Sequence, residues 1–210
     1  NGPMAIAACL LGEATGQESY YEKAKQIMDW FVENLYEEDT GKIYDNRDIE
    51  GGVSKWSSTY NQGTFIGANT LLYVHYDEDI YYTRARKAAD YTIQEMFRGG
   101  VMNSEANSND LVGFKGILAR WMHCFNEKCG APDVMDWLKL NAESAWKNRN
   151  SYGLMRTEFG IKTWDDANLT AFNASSAVSA LFNCWPATGN PEPSPSPEPT
   201  EKPVDRKSVQ

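Results

Sequence analysis

The sequence predicts an all-α chain built from repeated helical hairpins. Apolar side chains recur at the three- and four-residue spacing of amphipathic helices in about seven segments, and almost no convincing strand is present. The first hairpin is echoed later in the chain, 61 places on, by Gly63, Tyr81, Tyr82 and Ala85 in place of Gly2, Tyr20, Tyr21 and Ala24. A period near 50–60 residues is typical of stacked hairpins.

Seven helices follow in order. The first ends at Gly16, a residue suited to a left-handed C-cap. The first member of each hairpin begins with a Gly-containing string, and we therefore expect these helices to form an inner layer, at residues 2–16, 60–76, 110–127 and 168–185. We expect the remaining helices to form an outer layer, at residues 18–36, 78–97 and 132–149.

Seven is an odd number for a fold built of pairs. The chain is either a short α-solenoid or the later part of an α/α toroid whose earlier helices are absent. Two long connections, 37–58 and 98–109, are rich in Gly, Asn, Asp and Ser. Connections of that length in a compact domain are more often functional than idle.

Composition excludes several classes of partner and cofactor. A net charge of -9 argues against nucleic acid and anionic membranes, which both require clustered Lys and Arg. No apolar run approaches the roughly 20 residues that span a bilayer. The four cysteines and the two histidines, His75 and His123, lack the spacing of metal ligands. We therefore expect no metal and no cofactor.

The composition changes near residue 188. We assign residues 1–187 to the helical domain and 188–210 to a disordered linker rich in Pro, Glu, Ser and Thr, which cannot form a core. Such a linker leads us to expect a further module after it. The chain also begins without Met, inside a helix start at Asn1, so we expect the natural N-terminus to lie upstream.

Two strings of the sequence carry a family resemblance. They are Thr59-Tyr60-Asn61-Gln62-Gly63 and Gly113-Phe114-Lys115-Gly116, and supporting matches occur at Gly41–Asp45 and Leu169–Ser175. In this order and spacing they resemble glycoside hydrolase family 76 over about residues 1–185. The resemblance implies a secreted endo-α-1,6-mannanase with an (α/α)6 toroid, of which this chain would be the C-terminal part. The implied partner is a mannan polysaccharide or oligosaccharide.

The same resemblance implies that the catalytic residues are not in this chain. The family uses two consecutive aspartates in a retaining mechanism, and they precede the segment that matches Asn1. The sequence contains one adjacent aspartate pair, Asp165-Asp166, just before the last predicted helix. Aspartate is preferred at a helix N-cap, so we interpret this pair as a cap, with a role at the rim as the alternative. We therefore assign no catalytic residue.

Six residues are candidates for substrate binding. Tyr60, Asn61 and Gln62 supply more hydrogen-bonding groups than one helix end requires, although the alternative is a simple capping cluster. In view of the family resemblance, we interpret Phe114 as a surface on which a sugar stacks and Lys115 as a hydrogen-bond donor to a sugar hydroxyl. Asp45 faces the sugar cleft if the resemblance holds, and otherwise is a turn residue that satisfies its own backbone.

Three rival functions remain open. A transglycosidase of the same family would use the same residues. A non-catalytic helical-repeat carbohydrate-binding module would carry polar side chains along its whole concave face. Another toroid enzyme, such as an unsaturated glucuronyl hydrolase, would favour basic residues for a uronate carboxylate, and the acidic balance of this chain weighs against it.

Overall fold

The fold was derived from a computed structural model, which describes residues 1–102, 105 and 109–184. The predicted linker 188–210 lies outside the described residues. The described part contains seven α-helices: α1 Gly2–Thr15, α2 Glu18–Leu35, α3 Thr59–Tyr76, α4 Asp79–Tyr91, α5 Phe114–Cys129, α6 Pro132–Lys147 and α7 Ala171–Cys184. A π-helical segment, Thr92–Met96, extends α4, and a 3-10 segment, Asn109–Gly113, precedes α5.

The helices form the two predicted layers. Helix α3 packs between α1 and α5, and α5 in turn packs against α7, which gives an inner layer of four neighbours. The outer helix α2 packs on α1 and α3, α4 on α3, and α6 on α5 and α7. This arrangement of repeated hairpins confirms the all-α prediction and the α/α toroid fold class.

Glycines in the first turns set the distance between neighbouring inner helices. A β-carbon at Gly63 would lie 2.7 Å from the Cα of Leu118 in α5, so only glycine permits this approach of α3 to α5. One repeat earlier, a β-carbon at Gly2 would lie 2.5 Å from Oγ1 of Thr64 in α3. The echo between these two glycines therefore reflects the same packing role in successive hairpins.

The core lies between the two layers. Helix α3 is buried almost continuously from Thr59 to Thr70, because it has inner neighbours on both sides and outer helices behind it. Tyr60 is the exception in that run and is half-buried. No helix in the described ranges is long and apolar enough to cross a membrane.

The connection between α2 and α3 contains strands that the sequence did not predict. Strands β1 (Tyr36–Glu37) and β2 (Lys42–Ile43) pair antiparallel, as do β3 (Asn46–Arg47) and β4 (Val53–Ser54). Each strand has two residues, which is too short to produce a recognisable alternation of apolar and polar residues. The two small hairpins give this long connection a fixed shape beside the start of α3.

Candidate functional site at the inner-helix rim

The first turns of α3, α5 and α7 meet at one end of the molecule, which we call the inner-helix rim. The rings of Tyr60 in α3 and Phe114 in α5 lie 5.0 Å apart between centroids, with 30° between their planes. Both side chains are half-buried, and burial raises the pKa of Tyr60. We call this pair the aromatic platform. It presents apolar ring surface on rigid helix ends, where its geometry is well fixed.

The start of α3 is closed by a capping box. The Ser58 hydroxyl accepts a hydrogen bond from the backbone N–H of Asn61 at 3.1 Å, and the Asn61 side-chain oxygen accepts from the backbone N–H of Ser58 at 3.2 Å. The two side chains also contact each other directly. Asn61 is only 7% exposed, so its amide oxygen serves the helix end.

Gln62 has no exposed surface and bonds to three backbone groups. Its side-chain oxygen accepts from the N–H of Ile43 at 2.8 Å, and its amide nitrogen donates to the carbonyls of Ala88 and Gly41 at 3.1 and 3.3 Å. These partners belong to β2, to α4 and to the turn before β2. Gln62 thus ties the long connection and the outer layer to α3, and a direct contact between its side chain and a sugar does not fit this structure.

Lys115, which follows Phe114 in the sequence, is also fully buried. Its ammonium group donates to the Thr157 hydroxyl at 3.3 Å and lies 5.9 Å from the centre of the Phe159 ring. Burial lowers the pKa of Lys115, whereas the carboxylates of Glu105 and Glu158 act in the opposite direction. The predicted donation to a sugar hydroxyl does not fit an ammonium group that has no accessible surface.

Glu105 links the two helix starts that carry the platform. One carboxylate oxygen accepts from the backbone N–H of Thr59 at 2.6 Å, and the other accepts from the Thr59 hydroxyl. Burial raises the pKa of Glu105, and the hydrogen bonds from Thr59 and the charge of Lys115 oppose that shift. The carboxylate therefore interacts with the residue before Tyr60 and with the residue after Phe114.

Asp45 lies in the connection that Gln62 anchors, between β2 and β3. Its side chain is half-buried and accepts a hydrogen bond from the Asn46 amide at 2.7 Å, and its backbone N–H donates to the Ser54 carbonyl at 3.1 Å. Ile43, two residues earlier, bonds to Gln62, so Asp45 lies close to the start of α3. One carboxylate oxygen carries the bond to Asn46, and the group remains reachable from solvent.

The prediction that Asp165 and Asp166 cap α7 is wrong. Helix α7 begins at Ala171, and its capping box is formed by Thr170 and Asn173, with the Asn173 N–H donating to the Thr170 hydroxyl at 3.2 Å. The Asp165 carboxylate instead accepts from the backbone N–H of Ser151 at 2.9 Å, and this bond lowers its pKa. The aspartates lie too far before the helix to reach its first N–H groups.

The structure thus places the six predicted residues in one region but divides them into two groups, three that reach solvent and three that are buried. Tyr60 and Phe114 reach the surface as the aromatic platform, and the half-buried Asp45 lies nearby. The other three are buried: Asn61, Gln62 and Lys115.

Sequence reasoning missed two residues of this rim. Glu105 is a single acidic residue in a polar connection, and no local pattern distinguishes it. Phe172 lies in the string Leu169–Ser175 that carried part of the resemblance, and that string was the available signal. It is 50% exposed in the first turn of α7.

Comparison with known proteins identifies the family to which the chain belongs. The sequence model of Glycosyl hydrolase family 76 matches residues 1–192. The mannan endo-1,6-alpha-mannosidase DCW1 of Saccharomyces cerevisiae is 29% identical over 161 residues, which cover 70% of this chain and 36% of that protein. The chain therefore spans little more than a third of the length of this curated relative.

Two solved structures with bound oligosaccharides are similar over most of the chain. One is an inactive variant of the alpha-1,6-mannanase GH76A of Salegentibacter sp. HEL1_6, with two adjacent aspartates replaced by alanine, in complex with alpha-1,6-mannotetrose. It has a TM-score of 0.79 and 28% identity, covering 88% of this chain and 57% of that chain. A second inactive variant, with alpha-1,6-mannotriose, is 30% identical, with the same TM-score and coverage.

Proposed function

The chain belongs to glycosyl hydrolase family 76, and on that premise we propose that it forms the substrate-binding part of a secreted glycosidase. The glycosidase cleaves internal bonds of the polysaccharide α-1,6-mannan. In this proposal the aromatic platform of Tyr60 and Phe114 contacts the sugar. Asp45 accepts a hydrogen bond from a sugar hydroxyl through the side of its carboxylate that faces solvent.

The observation that carries the proposal is the ring pair itself. Two half-buried aromatic rings lie at the ends of two packed helices, and part of their apolar surface remains open to solvent. A pyranose has an apolar face of C–H groups and a rim of hydroxyls, so flat rings beside hydrogen-bonding groups suit it. Support comes from the similar mannanase structures, which bind α-1,6-linked manno-oligosaccharides.

The buried residues of the rim act as positioning groups in this proposal. Gln62 and Asn61 stabilise the start of α3, and Lys115 links the start of α5 to Thr157. Rigid support of this kind keeps the contacting side chains within the narrow range of geometry that binding requires. The predicted substrate-binding role of these three residues thereby becomes an indirect one.

The catalytic carboxylates are proposed to come from outside this chain. Retaining hydrolysis needs a nucleophile and a proton donor about 5–5.5 Å apart. The one adjacent aspartate pair, Asp165-Asp166, is exposed, and Asp165 is engaged by Ser151. We therefore expect the 210-residue chain by itself to leave α-1,6-mannan uncleaved. Turnover by this chain, abolished by substitution of either aspartate, would refute that expectation.

The platform is tested by two substitutions in the full protein. Tyr60→Ala and Phe114→Ala should each lower kcat/KM on α-1,6-mannan by about two- to tenfold, the effect of losing one aromatic contact. Tyr20→Ala is the matched control, because Tyr20 is half-buried in the first turn of α2, at the opposite end of the helices. Its kcat/KM should stay at the wild-type value.

Product analysis of the same reactions separates the rival functions. Shortened chains with new reducing ends indicate hydrolysis, and lengthened or cross-linked chains indicate a transglycosidase. Binding of mannan without any product would favour a non-catalytic module. A full protein that neither binds nor converts α-1,6-mannan, or a Tyr20→Ala effect equal to that of Tyr60→Ala, would overturn the proposal.

A further inference from the structure

Phe172 occupies a fixed position on the inner-helix rim. A β-carbon built on Gly113 would lie 2.3 Å from Cζ and 2.6 Å from Cε2 of the Phe172 ring. The ring therefore fills the space that any other residue at position 113 would need. The side chain is nevertheless 50% exposed, so one part of the ring rests on the Gly113 backbone just before α5 and the rest faces solvent.

This position places Phe172 next to the aromatic platform. Gly113 immediately precedes Phe114, whose ring pairs with that of Tyr60. Aromatic side chains thus follow one another across the first turns of α3, α5 and α7. Axes of packed helices lie about 8–10 Å apart, which is more than the width of one pyranose ring. A contact at α7 therefore reaches a sugar unit other than the one above α3.

A second exposed aromatic on α7 provides the contrast. Phe182 is 80% exposed but lies ten positions after Phe172 in the same helix, about 15 Å further along its axis. Its exposure cannot serve a ligand that lies on the rim. Phe172 differs from Phe182 in two ways. Its ring packs against the Gly113 backbone, and it lies on the inner-helix rim.

We propose that Phe172 is a further substrate-contacting residue, which extends the aromatic platform by one sugar subsite. This inference rests on the proposed function and names the part of the substrate involved. The ligand class is an α-1,6-linked manno-oligosaccharide long enough to cover both the platform and α7. Phe172 thereby favours longer chains over shorter ones.

The test is a chain-length series with the full protein. Initial rates are measured on α-1,6-linked manno-oligosaccharides of increasing length for the wild type and for Phe172→Leu, Phe172→Tyr and Phe182→Leu. Leucine keeps an apolar side chain against Gly113 but removes the flat ring, and tyrosine keeps the ring. Phe182→Leu is the matched control on the same helix.

We expect Phe172→Leu to remove the gain in kcat/KM from one added mannosyl unit, about two- to tenfold, mainly through KM. Shorter substrates should react at the wild-type rate, and Phe172→Tyr and Phe182→Leu should retain the length dependence. An equal loss at every length, no loss at any length, or the same loss in Phe182→Leu would overturn the inference alone. A wild type inactive on all lengths would overturn the proposed function with it.

Discussion

The starts of α3 and α7 use the same local device in different surroundings. Each begins with a hydroxyl residue followed three places later by asparagine, Ser58 with Asn61 and Thr170 with Asn173, and each pair forms a reciprocal capping box. At α3 the box is buried, whereas at α7 the threonine is exposed and the asparagine half-buried. The local hydrogen bonds are nearly the same in both.

The surroundings decide what each capping box does beyond satisfying the hydrogen bonds of the helix start. At α3 the neighbouring residues are held by distant parts of the chain, through Glu105 on Thr59 and through the three bonds of Gln62. At α7 the bonds of the box are exposed and join only residues three apart. Contacts with distant parts of the chain are made there by the Phe172 ring on Gly113 and by the Ser176 hydroxyl, which donates to the Val112 carbonyl at 2.6 Å. A capping box is a local feature, and the rigidity of the α3 start is therefore a product of tertiary contacts.

The strongest test of this difference is Gln62→Ala. The change leaves the N–H of Ile43 and the carbonyl of Gly41 without this buried partner, at about 1–3 kcal/mol for each unsatisfied group. The Ala88 carbonyl loses one donor but keeps the bond from the Thr92 hydroxyl. We expect a loss of about 3 kcal/mol in the free energy of unfolding, measured by urea denaturation. The exposed Gln26 in α2 is the control, and Gln26→Ala should change stability by less than about 0.5 kcal/mol.

The opposite result would restore the direct role first predicted for this residue. If Gln62→Ala keeps the wild-type stability but weakens mannan turnover per folded molecule, the side chain contacts sugar in the working enzyme. The comparison of the two helix starts would then lose its main support.

Much of the fold was predictable because its causes are local. The helices follow from apolar spacing, and the inner layer follows in part from glycines near the starts of α1 and α3, Gly2 and Gly63. Two helix starts were predicted at the wrong residue, and the reasons are local as well. Helix α5 begins four residues later than predicted, because the 3-10 segment ending at Gly113 occupies its expected first turn. Helix α7 begins three residues later, at Ala171, because Thr170 rather than an aspartate supplies the cap.

The substrate-binding role of the six candidate residues stays a prediction, and the sequence indicated a position at the surface correctly for only some of them. Tyr60 and Phe114 are large rings at helix starts, and both predicted positions reach the surface. Burial of Gln62 and Lys115 was not predictable, because their partners lie 19–42 positions away along the chain, as with Ile43 and Thr157. A single sequence carries no signal for which distant backbone group will need a partner.

Removing the cap hydroxyl from each capping box measures how much more the buried box of α3 contributes to stability than the exposed box of α7. Ser58→Ala should cost about 2 kcal/mol, the upper part of the range for N-caps, because it leaves buried groups unsatisfied. Thr170→Ala should cost about 0.5 kcal/mol, because water replaces the lost bond at an exposed site. Thermal unfolding of both variants in parallel gives the comparison. Equal losses would show that burial adds nothing to the α3 box.

A further small effect concerns Glu105, the distant residue that bonds to Thr59 at the start of α3. Glu105→Gln preserves an acceptor for the Thr59 N–H and a polar partner for its hydroxyl, so near neutral pH we expect a change within about 1 kcal/mol. The informative quantity is therefore the dependence of this change on pH. The glutamine variant lacks the titrating group and serves as the reference.

The sign of the pH dependence follows from the raised pKa of Glu105. Below its unfolded value of about 4.5, the carboxyl is neutral in both states and carries no cost of burying a charge. As the pH rises through the higher folded value, the folded state holds the proton longer than the unfolded state, and stability falls. Wild type should therefore lose stability relative to Glu105→Gln between pH 4 and 7, measured by urea denaturation at each pH. A gain over that window would mean that the attraction to Lys115 outweighs burial, and that Glu105 acts at the α3 start mainly as an ion-pair partner.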